Sequence, residues 1–145
     1  MAWTGNPDEV LLYGGIIDPG TATNQVSNTV WRFNGTTWVQ EPEAGPGRRL
    51  SHAMVYDEVR DAVLVTGGYR ALTVQLGRLP PAGASVWSWR DGSGWLEARL
   101  ADPEGDGAPL TWIDGVASYD PDLERSVFFG TQYGDTENFN DGTTW

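Results

Sequence analysis

Arg48, Arg49 and His52, close together near the middle of the chain, are the first residues whose types and spacing could do chemistry. A guanidinium could face an acidic ligand group, and an imidazole could give or take a proton near neutral pH. The same residues have a purely structural use, with Arg49 paired to an acid and His52 hydrogen-bonded inside the fold. Tyr69 and Arg70, just past the glycine pair at 67–68, are ligand candidates by position alone. His52 is the single histidine of the 145 residues, and there is no cysteine. Thiolate catalysis and disulfides are therefore excluded, and zinc could be held only by recruiting carboxylates. No Gly-x-Ser-x-Gly elbow and no P-loop occurs. "DPEGDG" at 102–107 resembles a calcium loop, but position twelve, where a bidentate Glu is needed, is Ile113. It reads as a solvated loop. Paired carboxylates for glycoside hydrolysis stay open, because 20 acids make many pairs whose separation the sequence does not reveal. These residues imply no catalytic residue, no metal site and no cofactor. They leave Arg49, His52, Tyr69 and Arg70 as ligand-binding candidates.

The elements that must position them are strands. "SHAMVYD" (51–57) puts His52, Met54 and Tyr56 on one face, and "AVLVTGG" (62–68) is a continuous apolar run closed by glycines. Such a run reads as a strand buried on both faces. "MAWT" with "VLLYGG" supplies an earlier copy, and "VASYD" (116–120) with "SVFFGT" (126–131) a later one. The runs at 62–66 and 126–129 are expected to pair antiparallel with the strand before them. Downstream come "VWRFNGTTW", "VWSWRDGSGW" and "FNDGTTW", in which Asn-Gly or Asp-Gly predicts a tight type I′ hairpin. Trp38 and Trp95 recur in phase with these turns and are expected to be at least partly buried. Nineteen glycines and nine prolines punctuate the chain too often for long helices.

Each unit is thus four strands, A to D. The glycine landmark recurs after 53 and then 63 residues, and the hairpin Trp after 57 and then 50. With that period, "GRRLSHAMVYDEVRDAVLVTGG" followed by "VWSWRDGSGW" resembles the kelch repeats of galactose-oxidase-type β-propellers. The resemblance implies an all-β, kelch-type partial propeller of three four-stranded antiparallel blades, at about 1–41, 49–99 and 110–145, with strand A innermost. It also implies that Arg49 and His52 belong to a recurring Arg-x-x-His, a pattern of the repeat rather than of one active site. The third copy departs from it, with "WIDG" in place of Arg-x-x-His and Gly130-Thr131 in place of the glycine pair. In such propellers the B–C and D–A connections usually gather at the ligand-binding face. Here the B–C connections, 16–28 and 69–85, are long. The first copy begins inside strand A and the last stops where strand D begins. The expectation is part of a longer propeller, with a two-chain, six-blade ring as the rival.

The net charge of −11 argues against nucleic acid as partner. No apolar run approaches the roughly 20 residues of a membrane span. The expected function is a non-catalytic recognition scaffold for a protein or carbohydrate ligand, bound by loops of the propeller face. Self-association through open blade edges is a further expectation. The alternative is part of a propeller enzyme, carbohydrate-active or galactose-oxidase-like, whose catalytic residues lie outside this chain.

Overall fold

The computed structural model describes residues 1–17, 25–42, 45–70, 85–98, 112–132 and 143–144, with backbone only for 112–113, 131–132 and 143–144. The connections 18–24, 71–84 and 99–111, including "DPEGDG", lie outside the described residues, as do Phe139 and Trp145.

The apolar runs and their glycine stops form three antiparallel sheets. In the first, β1 (Ala2–Trp3), β2 (Val10–Tyr13), β5 (Val30–Phe33) and β6 (Trp38–Glu41) lie in that order, while β3 (Ile16–Ile17) and β4 (Gln25–Val26) pair as a separate ribbon in the B–C connection. The second runs β7 (Ala53–Asp57), β8 (Ala62–Thr66), β9 (Val86–Arg90) and β10 (Gly94–Ala98). In the third, β11 (Trp112–Asp120) pairs with β12 (Arg125–Gln132), and β12 with β13 (Thr143–Thr144). Both apolar runs expected to pair with the strand before them do so, β8 with β7 and β12 with β11. The third sheet departs from four strands. Its third strand is Thr143–Thr144, downstream of the expected position, and only three strands lie among the described residues.

The hairpins also depart from type I′. Gly35 has φ +87 and Gly92 has φ +70, but neither Asn34 nor Asp91 has a positive φ. The Asn34 side chain explains the difference. Its Oδ1 accepts the backbone N–H groups of Thr36 and Thr37, at 3.1 and 3.0 Å, and so stabilises a four-residue loop between Phe33 and Trp38. In the second sheet, Arg90 pairs with Gly94 across a three-residue loop, and Gly94 takes φ +70.

The sheets stack face to face, with their first strands side by side: β7 contacts both β1 and β11. Leu11, Tyr13 and Val30 of the first sheet enclose one core with Val63, Val65, Trp89 and Trp95 of the second. The other face of the second sheet builds another core, in which Ala53, Val55, Leu64 and Val86 meet Phe128 of the third. All five residues of β8 are buried because alternate side chains serve the two cores. Burial contributes roughly 1.5–3 kcal/mol for each large aliphatic side chain.

One buried polar group ties the second sheet to the third. Asp57, fully buried, accepts the Arg60 backbone N–H (2.9 Å), the Arg60 guanidinium (2.8 Å) and the Ser126 hydroxyl of the third sheet (2.9 Å). The equivalent Asp120 shapes its own turn by accepting the N–H groups of Asp122 and Leu123.

Trp38 and Trp95 share a repeat position but not an environment. Trp95 is 9% exposed and lies against Tyr13 of the neighbouring sheet, with ring centroids 5.0 Å apart. Trp38 is 46% exposed and leans on Phe33 of its own sheet. The expectation of burial therefore holds fully for Trp95 only, since no described sheet covers Trp38. On the far face of the third sheet, the register partners Val116 and Phe129 are likewise exposed, at 66% and 54%. Trp95→Ala is expected to cost about 3–5 kcal/mol, the loss usual for a large buried aromatic. Trp38→Ala is expected to cost about 1 kcal/mol or less. Urea unfolding of both variants measures the difference.

Candidate functional site

The segment from Arg49 to His52 enters β7 through a kink. Ser51 has φ +53, an uncommon value for a residue with a side chain, and its counterpart in the third sheet, Asp114, has φ +50. Backbone hydrogen bonds hold the segment from two sides. The Arg49 N–H donates to the Ser27 carbonyl (3.0 Å) and the Arg49 carbonyl accepts the Gly15 N–H (2.8 Å), which joins the segment to the first sheet's connection. Leu50 and Tyr69 exchange both of their backbone bonds, at 3.0 and 2.9 Å, which joins it to the end of β8.

Arg49 is 1% exposed, and its Nη1 donates to the Gly67 carbonyl at 2.8 Å. The Tyr13 side chain is hydrogen-bonded to Arg49, and its hydroxyl donates to the Gly47 carbonyl. Burial pushes the Tyr13 hydroxyl up to about 12, against the pull of the Arg49 charge, and burial also lowers the pKa of Arg49.

His52 is wedged between the two glycine pairs. A Cβ on Gly14 would stand 3.2 Å from His52 Cε1, and one on Gly68 would stand 3.0 Å from His52 Cβ and 2.4 Å from the Leu50 carbonyl. Only glycine fits at Gly68, where φ is +86 and the backbone of the next segment is this close. The imidazole meets Tyr13 edge-on at 5.3 Å, and its buried Nδ1 has no hydrogen-bond partner among the described residues. Burial, then the Met1 amino group, then Arg49 push His52 down to about 4. The ring is therefore neutral at physiological pH and poorly suited to proton transfer there.

The four sequence candidates do come together, at the end of the second sheet where β7 begins and β8 finishes. They divide by depth. Arg49 and His52 are enclosed between the first and second sheets, Tyr69 is half-buried, and Arg70, like Arg48, is exposed. The third sheet repeats the kink without the side chains: Gly115 stands where His52 does, and Asp114 N–H donates to the Ser51 carbonyl at 3.2 Å. Among the described residues no three histidine, aspartate or glutamate side chains gather as a metal-binding set. No helix among them is long and apolar enough to cross a membrane.

A second concavity lies at the opposite end of the sheets and was not singled out in the sequence. Trp3, Tyr56 and Tyr119 line a hollow of ≈ 440 Å³ together with Met54, Glu58 and Pro121. The three aromatic residues hold the same position of the repeat, in "MAWT", "MVYD" and "ASYD", which the packing of the first strands brings together.

Stacked antiparallel sheets with neighbouring first strands define a β-propeller-like all-β fold. A solved structure of YjhT, a kelch-type β-propeller protein, is similar to it, with a TM-score of 0.63 and 17% identity over 99% of this chain and 44% of the YjhT chain. This chain thus spans less than half the length of that structure. No family model and no curated protein matches the sequence.

The depressed His52 has a measurable consequence. An unfolded imidazole protonates near pH 6.5 and the folded one only near 4, so between these values the unfolded state binds more protons. Stability therefore falls as pH drops through this window, by at most about 1.4 kcal/mol per pH unit. His52→Gln removes this contribution while leaving the carboxylates in place. Urea unfolding at pH 7 and pH 5 is expected to show a larger loss in the parent chain than in the variant.

Proposed function

We propose that the chain is part of a kelch-type propeller that acts as a non-catalytic recognition scaffold for a protein or carbohydrate ligand. The burial of Arg49 and His52 between two sheets carries this reading. Both groups best suited to chemistry are engaged in packing, and the histidine is held in its neutral form. At the same end Arg48 and Arg70 are exposed, and Tyr69 and Arg70 open the long connection 69–85 of the sequence; groups on such connections are where recognition concentrates. An exposed arginine suits a carboxylate or a phosphate on the ligand.

Glycan-array and peptide-library binding, measured on the parent chain and on Tyr69→Ala/Arg70→Ala, tests this. The expected result is selective binding that the double variant weakens at least about tenfold, consistent with loss of a central tyrosine and arginine. The double variant is expected to stay folded, with a cooperative unfolding transition, because Arg70 is exposed and Tyr69 keeps its two backbone bonds to Leu50 as alanine. Equal binding by both proteins, or chemical conversion of the bound ligand in a mixture followed by NMR, would overturn the proposal.

A further inference from the structure

The hollow at the other end of the sheets has a different chemistry. It lies about 13 Å along β7 from His52, at four residues of strand rise, beside the A–B turns. Trp3 and Tyr56 meet edge to face, with ring centroids 5.2 Å apart and planes at 67°. Each ring is anchored by its polar atom. Trp3 Nε1 donates to the Asn6 carbonyl at 2.6 Å, and the Tyr56 hydroxyl donates to Asp61 at 2.8 Å. The Val59 backbone N–H faces the Tyr119 hydroxyl and favours its ionised form. With those atoms engaged, the rings have mainly their π surfaces to offer a ligand.

The electrostatics of the hollow are negative. Glu58 is exposed and lines it. Asp61 lies on the Tyr56 hydroxyl, and that hydrogen bond, burial and the neighbouring carboxylates push Tyr56 up to about 12. Tyr119 is raised as well, by burial and then by Glu58, Asp57 and Glu124. Arg60, the cation of the same turn, is bound to the buried Asp57. The Met1 amino group acts on His52, toward the other end of the strands.

We propose that Trp3, Tyr56, Tyr119 and Glu58 form a binding site for a compact quaternary ammonium group. Aromatic faces attract a cation through the ring quadrupole, and a cation without N–H groups needs no hydrogen-bond acceptor in return. A primary ammonium would need three acceptors, and a sugar would need directional donors and acceptors that the anchored rings do not provide. A neutral apolar group would gain nothing from Glu58. The site shares no residue with the end that bears Arg70 and does not rest on the function proposed for that end.

Choline, its neutral isostere 3,3-dimethyl-1-butanol and methyl glucoside are the probes, titrated into the full 145-residue chain and followed by ligand-observed NMR. Choline is expected to bind in the millimolar range or tighter and at least about tenfold more strongly than the isostere, as cation–π attraction beside a carboxylate requires. Trp3→Leu, which keeps apolar bulk without the π face, is expected to weaken choline by about fivefold or more. Glu58→Gln, an exposed change that leaves the fold intact, is expected to reduce the preference for choline over the isostere. Equal binding of choline and the isostere would overturn the proposal, because it would make the hollow merely apolar. So would tighter binding of the glucoside, an unaffected Trp3→Leu variant, or no choline binding at all.

Discussion

Tyr13, Arg49 and His52 form the contact on which the rest of the structure depends. They fill the junction where the first sheet's glycine pair faces the second's. His52 can enter only because Gly14 and Gly68 carry no Cβ, and Arg49 reaches the Gly67 carbonyl only because that backbone passes so close. The backbone bonds from Arg49 to Ser27 and Gly15, and from Leu50 to Tyr69, then set the second sheet against the first. Once that junction is fixed, Trp95 falls on Tyr13 and the first core closes.

The third sheet shows how much of this arrangement resides in the backbone. It has glycine where the second has His52, yet Asp114 repeats the left-handed turn of Ser51. A repeat of this kind preserves the path of the chain more strictly than the side chains along it. The junction between the second and third sheets instead uses Asp57, which accepts the Ser126 hydroxyl across the interface. One fold therefore has two ways of joining neighbouring sheets, one built on a neutral wedge and one on a satisfied buried carboxylate.

The two ends of the sheets differ in which side chains they leave exposed. At the end where β7 begins, Arg49 and His52 are committed to packing, while Arg48 and Arg70 are exposed. At the end where β7 finishes, the anchored rings leave π surfaces beside a carboxylate. The two ends are separated by the length of the strands, five residues in the second sheet, with the cores between them.

The sequence by itself determined the first two strands of each copy, their antiparallel pairing and the positions of the glycine stops, but not the β3–β4 ribbon or the third strand of the third sheet. Period-two alternation and continuous apolar runs are local patterns, and β8 followed them to the residue. The sequence singled out Arg49, His52, Tyr69 and Arg70 one by one, and the pairing of β7 with β8 is what brings them to one end of the second sheet. Turn geometry was only partly legible: the Asn34 side chain took the hydrogen bonds that would have defined a two-residue turn. Tertiary structure alone decided which side chains of equal repeat position were buried. Trp38 and Trp95 look alike in the sequence, and Val116 occupies the place of the buried Ala53, but burial belongs to the sheet opposite and not to the residue. Nor could a linear pattern show that Trp3, Tyr56 and Tyr119, more than fifty residues apart in succession, line one hollow. That required three first strands to lie side by side, and long-range packing of sheet faces is what brings them there.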